Sequence, residues 1–429
     1  NYISHLTMNT PSIRPSDPAA KQNYGLFAVI GPTGVVSNLG LLNGVITSLG
    51  SADALGTLAG VNQGQILNSY SSLIVNAGAG TKAVGGLVGV NEGVIQNSFA
   101  KGNLTGGDGI LAMGGLSGIS TGTIRESFAM GNLSVGSNAG GIGTASVGIG
   151  GLVGYAEGLA TGVYANGSVT ASTNARGLGG LIGYAQGLTL NKSYATGSLT
   201  MSGSAQNVGG LIGETYNTSV QNSYATGGIQ VNGSGTDVGN FVGLHRNNSI
   251  SQSYATGSVT LGTGTTQGFY GSNNSAGVFT NNFWNTTSSG IASNPSKSGI
   301  TGLNGAQMQT FSTFLNAGWD STVWVQISGQ NNDYPVMGIG HSALYVKAIA
   351  GSSIYGTTPN LTYQVFNLPQ AIPNPNSITP FLEPIEAIGY SLTGTPAWKI
   401  TQGAAAVPGT TLTGLNAAGT HKLGYATGL

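Results

Sequence analysis

The chain contains no cysteine, and few of its residues carry a charge. Because cysteine is absent from all 429 residues, a disulfide scaffold and thiolate metal sites are excluded. Charged residues make up only 6% of the chain, and the 12 basic and 12 acidic side chains cancel to a net charge of zero. Nucleic acids and anionic lipids are bound by clusters of Lys and Arg. The composition therefore argues against both kinds of partner.

Long apolar runs are also missing. No run of about 18 apolar residues occurs, so we expect no direct insertion into a membrane. The chain starts Asn1-Tyr2-Ile3, without an initiator Met and without the basic and apolar segments of a signal peptide. We therefore expect it to begin inside a longer protein.

Glycine is abundant, at 75 residues, in a chain that is 39% hydrophobic. Disordered Gly-rich chains lack apolar residues, whereas this one has enough of them to form a core. Glycine here therefore indicates turns and close packing within a folded structure.

A block of about 30 residues recurs in register from about residue 55 to residue 260. Each copy holds a segment like Gly-Gly-Leu-Val-Gly and then one like Ser-Tyr-Ala-Thr-Gly. The leading apolar position of each repeat is occupied in turn by Leu58, Leu87, Leu116, Leu152, Leu181, Leu211 and Phe241, in steps of 29, 29, 36, 29, 30 and 30. The aromatic position is occupied by Tyr70, Phe99, Phe128, Tyr164, Tyr194, Tyr224 and Tyr254. A fixed period of this length predicts an array of stacked units.

Each copy reads as short strands separated by Gly, Ser and Asn turns, without room for a helix of 10 residues. Three strands and three turns per period suit one coil of an all-β, parallel β-helix. Equivalent residues would then stack about 4.8 Å apart. The leucine column is expected to form an interior ladder, and the aromatic column to lie in the interior or at a corner rather than on an exposed surface. Gly pairs such as Gly85-Gly86 would adopt positive φ or let coils approach closely.

The pattern divides the chain into four parts: 1–54 as degenerate N-terminal coils, 55–285 as repeats, 286–341 as a C-terminal cap, and 342–429 as a separate, truncated small β module. Within the cap, 304–318 holds a helix signal in which Met308, Phe311 and Leu315 share a face. Trp284, Trp319 and Trp324 are expected to form an aromatic cap over the last open coil.

The repeats resemble the GLUG motif, named for its Gly-Leu-any-Gly core. The core stands here as Gly86-Leu87-Val88-Gly89, Gly115-Leu116-Ser117-Gly118, Gly151-Leu152-Val153-Gly154, Gly180-Leu181-Ile182-Gly183 and Gly210-Leu211-Ile212-Gly213. The copies around Leu58 and Phe241 depart from it. The motif recurs in filamentous-haemagglutinin-like bacterial adhesins exported by two-partner secretion, and in some surface-anchored metallopeptidases. No His-Glu-x-x-His occurs here, so nothing of the peptidase carries over.

This resemblance implies a right-handed parallel β-helical stalk of a secreted or cell-surface bacterial adhesin. It also implies an outer-membrane two-partner transporter and a host-cell or matrix receptor, either a glycan or a protein. Self-association is the main alternative, because low charge weakens repulsion between neighbours and would permit a structural filament or biofilm-matrix protein.

A third class, a polysaccharide-degrading β-helix enzyme, requires clustered acidic or basic residues. The carboxylates of the array are dispersed, at Glu92, Asp108, Glu126, Glu157, Glu214 and Asp237. Glu92 and Glu157 share the column of Gln63 and Gln186, two coils or about 10 Å apart, and a turn column that accepts Gln and Glu explains them better than catalysis. His5, His245, His341 and His421 are scattered, and His245-Arg246 is expected to be a solvated turn. We therefore expect no enzyme activity, cofactor or metal.

Two surface features depart from the period or repeat a polar residue. The step from Leu116 to Leu152 is seven residues longer than the 29-residue steps, with the excess near 134–147. Such an insertion is either a loop on a binding face or a tolerated linker. Thr196, Thr226 and Thr256 would stack in consecutive coils, either as a face for sugars or ordered water or as ordinary strand stabilisers.

Acceptor sequences for N-linked modification, Asn-x-Ser/Thr, are frequent in this chain. The positions considered for glycosylation are Asn103, Asn132, Asn166, Asn191 and Asn217.

Overall fold

The computed structural model describes residues 2–10, 21–141, 147–273, 277–292, 298–326 and 331–337, and the backbone of five strands after residue 342. The chain divides into two compact units, residues 1–340 and residues 341–429. Each unit is described by itself below.

In the first unit each coil is divided into up to five short strands, numbered here by their position in the coil. Position 1 holds Phe27–Ile30, Ala59–Asn62, Val88–Asn91, Ser117–Ser120, Val153–Thr161, Ile182–Ala195, Ile212–Tyr216, Val242–Arg246 and Tyr270–Asn273. Position 2 holds Val35–Ser37, Gln65–Leu67, Val94–Gln96, Thr123–Arg125, Ser219–Ala225, Ser249–Ser251 and Val278–Thr280. Position 3 holds Tyr2–Ser4, Gly40–Leu42, Tyr70–Ser71, Phe99–Ala100, Phe128–Ala129, Tyr164–Ala165, Tyr254–Ala255, Asn282–Asn285 and Ile300–Leu303.

The other two positions form a second sheet. Position 4 holds Thr7–Thr10, Val45–Ser48, Ile74–Ala77, Leu104–Gly106, Leu133–Val135, Val169–Ala171, Leu199–Met201, Ile229–Gly239 and Val259–Gln267. Position 5 holds Asn23–Tyr24, Ala54–Gly56, Ala83–Gly85, Ala112–Gly114, Ile149–Gly150, Ala175–Gly179 and Ala205–Gly209.

Strands of successive coils pair in parallel and in the register that the period predicts. Phe99 pairs with Phe128, and Leu104 pairs with Leu133, in the next coil. The result is a β-solenoid of about 8 turns with roughly 30 residues per coil. The predicted fold class is thus confirmed. The expected three strands per coil are wrong, because a bend at the Gly-Leu step and a left-handed corner before the aromatic residue cut the extended backbone further.

The leucine column lies in the interior of the solenoid. Its seven members are all fully buried and belong to one continuous hydrophobic core. Phe269 extends the column, and its ring stacks on Phe241 at a centroid distance of 4.6 Å. Complete burial of a side chain of this size contributes roughly 1.5–3 kcal/mol.

The Gly pairs serve close approach and not left-handed turns. A Cβ atom added to Gly85 would lie 1.8 Å from the carbonyl oxygen of Val88, and one added to Gly86 would lie 2.1 Å from that of Gly115. Neither glycine has a positive φ. The expectation that these glycines let coils approach closely is therefore correct, and the expectation of positive φ is not met at this pair.

The helix signal at 304–318 becomes two short helices, Gly305–Met308 and Phe311–Asn316, after a first one at Thr286–Ser289. Met308 and Phe314 are buried, whereas Leu315 is 38% exposed. The prediction that Met308, Phe311 and Leu315 share one face of a single helix is therefore wrong in part. The break at Gln309-Thr310 separates two helices and turns Leu315 away from the buried side. A 3-10 turn at Asn331–Asp333 and a strand pair, Trp324–Val325 with Val336–Met337, complete this segment.

The second unit is described by its backbone alone. Ala343–Ile349 and Thr362–Leu368 form an antiparallel pair. Ala397–Gln402 pairs antiparallel with both Ala405–Val407 and His421–Thr427. His341 lies outside the described residues.

Candidate functional site

The corner before each aromatic residue is built from left-handed backbone. In successive coils this position is held by Asn38, Asn68, Asn97, Glu126, Gly162, Lys192, Asn222, Gln252 and Asn281. All nine have φ between 46° and 64°. Asn and Gly tolerate this conformation better than other residues, which explains the Asn-Ser-Tyr pattern of the repeat.

The serine of that pattern links the coils. Ser223 Oγ accepts a hydrogen bond from the backbone N–H of Ser193, one coil away, at 3.4 Å, and donates to the carbonyl of Gln221 at 2.9 Å. Ser69, Ser98, Ser127 and Ser253 accept in the same way. The sequence signal for this ladder is the serine that follows the corner residue in six of the nine coils, because a small hydroxyl beside a corner is what such a bond requires. Sequence reasoning missed it.

The aromatic rings stack along the outside of that corner. From Tyr70 to Tyr254, successive ring centroids lie 4.6–5.2 Å apart with interplanar angles of 1–11°. The alanine after six of the seven rings, such as Ala100, points into the core, so the ring lies on the other side of the strand. The expected interior position is wrong and the corner position is right. Stacking keeps Phe99 and Phe128 only 7–8% exposed.

The three tryptophans have different positions. Trp284 belongs to the interior core. Trp319 and Trp324 lie in a second cluster, where they pack with Tyr224 and Tyr254 of the aromatic ladder and with apolar residues of 303–337. Trp324 Nε1 donates to Asn222 Oδ1 at 3.1 Å. The expected common cap of three tryptophans is therefore wrong, because Trp284 packs inside the solenoid, where its strand pairs with Ile300–Leu303. The other two cover the side of the aromatic ladder.

An exposed face of the second sheet is lined with neutral polar side chains. Thr105, Ser134, Thr170, Thr200, Gln230 and Thr260 pair in register from coil to coil. The predicted threonine ladder one corner away is less uniform: Thr196 is exposed, Thr226 is half-buried, and Thr256 is 6% exposed. The C-terminal segment causes this difference, since Ser288 Oγ donates to the carbonyl of Thr256.

Of the candidate glycosylation sites, Asn103 and Asn132 directly precede strands of this face, whereas Asn191 lies in a strand of the first sheet and Asn217 lies between two strands of that sheet. Asn103, Asn132 and Asn217 are exposed, and Asn166 and Asn191 are half-buried. Asn103 and Asn132 already accept backbone hydrogen bonds from the next coil through Oδ1. Their modification stays a prediction.

A polar groove of about 350 Å³ lies beside the period-breaking insertion. Arg176, Gln206 and Thr236 follow one another in register along it, in three successive coils. Its other lining residues are Gly141, Asn174, Ala175, Ser204, Ala205 and Ser234. Of the predicted loop 134–147, Ser134 and Val135 belong to a strand, and residues 142–146 lie outside the described part.

Behind the groove, two arginines approach one buried carboxylate. Glu214 is 1% exposed and accepts a hydrogen bond from Asn207 Nδ2 at 2.5 Å. Arg176 Nη2 lies 3.8 Å from Glu214 Oε2, and Arg246 Nη2 lies 3.5 Å from Oε1. Sequence reasoning missed this group, because Arg176 lies 38 residues before Glu214 at a different strand position. Arg246 lies 32 residues after Glu214 and pairs in register with Tyr216 instead of Glu214.

The other carboxylates of the array and His245 are not part of the group formed by Arg176, Glu214 and Arg246. Gln63 Nε2 donates to Glu92 at 2.9 Å, and the Tyr155 hydroxyl donates to Glu157. His245 lies fully buried in a strand, with its ring 4.7 Å from that of Phe279. The expected solvated turn at His245-Arg246 is therefore wrong, because both residues belong to the strand Val242–Arg246 and the rings of Tyr270 and Phe279 lie near the His245 ring. Among the described residues, no group of three His, Asp or Glu could hold a metal ion.

No helix in the described part of the chain is long and apolar enough to cross a membrane.

Glu126 provides a test of the left-handed corner. It occupies a column dominated by Asn at φ 46°, and burial raises the pKa of its carboxyl to about 7, against the opposing effect of Lys192 and Arg125. Because the pKa of Glu126 is higher in the folded state than its unfolded value of about 4.3, the protonated side chain favours folding at pH values below 4.3. This contribution to stability is lost as the pH rises through 7. We expect Glu126→Asn to raise the melting temperature more at pH 8 than at pH 5.

The matched control for that prediction is Glu92→Gln, which neutralises an exposed carboxylate outside the corner. It is expected to leave the pH dependence of melting unchanged. A Glu126→Asn variant that melts lower than the parent at pH 8 would contradict this account of the corner.

Comparison with known protein families gives one match. The model of the GLUG motif matches residues 80–105 and 204–232. This chain carries GLUG repeats. Both matches begin just before a Gly-Gly-Leu step, and the second contains Glu214, Asn207 and Gln206 of the groove region. No curated protein matches, and no solved structure matches.

Proposed function

We propose that this GLUG-repeat protein is a secreted or cell-surface bacterial adhesin, in which the solenoid is a rigid stalk and contact surface without catalysis. The observation that carries this proposal is the unbroken register of the coils. Interior leucines, corner serines and outer aromatic rings each form a column over most of the array. Such continuous stacking stiffens an elongated structure, and side chains on its outer faces remain available for contact.

The absence of catalysis is proposed from how the carboxylates are used. Glu92 is hydrogen-bonded to Gln63 of its own column, Glu157 accepts from Tyr155 on its own strand, and Glu214 is enclosed by Asn207 and two arginines. A glycosidase needs two carboxyl groups that flank one bond of the substrate. Assays for new reducing ends and for unsaturated products on pectin, alginate and glycosaminoglycans are expected to stay at background.

A deletion tests the stalk. Removal of residues 87–115 joins Gly86 to Leu116, removes one coil and leaves the groove intact. We expect the variant to fold, to be shorter by about 4.8 Å in small-angle scattering, and to bind whole host cells like the parent. Isolated rods that bind cells support an adhesin. Rods that join laterally or end to end and do not bind cells would favour the filament, and global unfolding of the variant would contradict the one-repeat, one-coil architecture.

A further inference from the structure

Charge is scarce in this chain, yet three charged side chains meet behind the groove. Arg176 lines the groove, Glu214 lies behind it, and Arg246 approaches Glu214 at its other carboxylate oxygen. Two guanidinium groups thus share one carboxylate, which leaves one surplus positive charge. The side chains of Arg176 and Arg246 are 25% and 37% exposed, so this charge is only partly screened by water.

The arginines also keep unused hydrogen-bond donors. Both arginine–carboxylate distances, 3.8 and 3.5 Å, exceed the usual length of an N–H···O hydrogen bond. The Nε atoms of Arg176 and Arg246 are buried and have no hydrogen-bond partner among the described residues. A buried donor without a partner is costly, and a ligand that accepts from it would recover that free energy.

The rest of the groove is neutral and polar. Asn174, Gln206 and Thr236 are exposed along it, with Ser204 and Ser234 between them. Amide and hydroxyl groups of this kind donate to and accept from sugar hydroxyls. The described residues that line the groove include no aromatic ring, so recognition there rests on hydrogen bonds and charge.

We propose that this groove binds a carboxylated sugar unit of a glycan, a uronic or sialic acid, with its carboxylate against Arg176. This inference rests on the proposed adhesin function and names the class of its ligand. A guanidinium binds a carboxylate through two parallel N–H···O bonds, and one surplus positive charge matches one carboxylate. A phosphate dianion or a densely sulfated chain would exceed that charge.

Three substitutions give effects of different size and sign. Arg176→Gln removes the direct partner and is expected to weaken binding at least about tenfold. Arg246→Gln is expected to weaken it several-fold although Arg246 does not line the groove, because Glu214 then neutralises Arg176 alone. Glu214→Gln keeps the shape and removes the competing anion, so binding is expected to tighten several-fold.

The experiment titrates the full chain and these variants by calorimetry with two matched pairs of probes. Hyaluronan oligosaccharides are compared with neutral chitin oligosaccharides, and 3′-sialyllactose is compared with lactose. We expect the acidic sugar of at least one pair to bind and its neutral counterpart not to bind. Added salt is expected to weaken binding of the acidic sugar. Arg176→Lys, which keeps the charge and loses the fork, is expected to give intermediate affinity.

Several results would overturn the proposal. These are equal binding of acidic and neutral probes, tighter binding of dextran sulfate, which carries sulfate but no carboxylate, than of every carboxylated probe, and weaker binding by Glu214→Gln at an unchanged melting temperature. If the chain binds whole cells but no acidic sugar, this inference fails and the adhesin proposal stands. If it binds neither, the adhesin proposal fails as well.

Discussion

Replacing Leu181 with Asp is expected to lower the free energy of unfolding by at least about 3 kcal/mol. Leu181 is fully buried, and its backbone is hydrogen-bonded to Leu152 on one side and Leu211 on the other. The substitution places a carboxylate in the core with apolar neighbours above and below it. Because each coil rests on the next, the defect weakens both of its interfaces.

Two variants serve as controls for Leu181→Asp. Leu181→Met keeps the volume and apolar character and is expected to cost less than about 1.5 kcal/mol. Glu157→Gln changes a half-buried carboxylate at the surface and is expected to change stability by less than about 0.5 kcal/mol. Thermal and denaturant melts give the order, and an Asp variant as stable as Glu157→Gln would rule out the interior ladder.

Replacing Trp324 with Ala is expected to cost about 3–5 kcal/mol within the C-terminal segment. Trp324 is fully buried against Tyr224, Tyr254 and Trp319, and its indole N–H is bonded to Asn222. Its loss exposes the last rings of the aromatic ladder. The earlier coils make no contact with it and keep their own interfaces.

Hydrogen exchange resolves where that loss occurs. Protection is expected to fall in residues 219–225 and 303–325 and to stay unchanged around Val88–Asn91 and Phe128–Ala129. Tyr216→Ala, which removes a ring that is 41% exposed, is the aromatic control and should leave protection intact. Uniform loss of protection along the whole solenoid after Trp324→Ala would show that the segment supports every coil.

Most of the fold follows from spacing alone. A constant step near 30 residues requires equivalent residues to meet in adjacent coils, so the buried leucine column and the parallel register could be predicted. The aromatic column was predicted to lie in the interior or at a corner, and only the corner is right, because periodicity states which residues stack and not which side of the strand they occupy. The alanine that follows six of the seven rings was the missing clue, since only one of two adjacent residues can point into the core.

The sequence by itself determined the solenoid, its period, its all-β class and the columns that stack, because these depend on residues one repeat apart. Only the tertiary structure decided what lies side by side within a coil. Arg176 meets Glu214 because strands of different coil positions lie next to each other, whereas Arg246 reaches Glu214 diagonally from the next coil, where it pairs with Tyr216. His245 is buried because aromatic rings close over its strand. Lateral contacts of this kind depend on how sharply each corner bends, which no repeat spacing specifies.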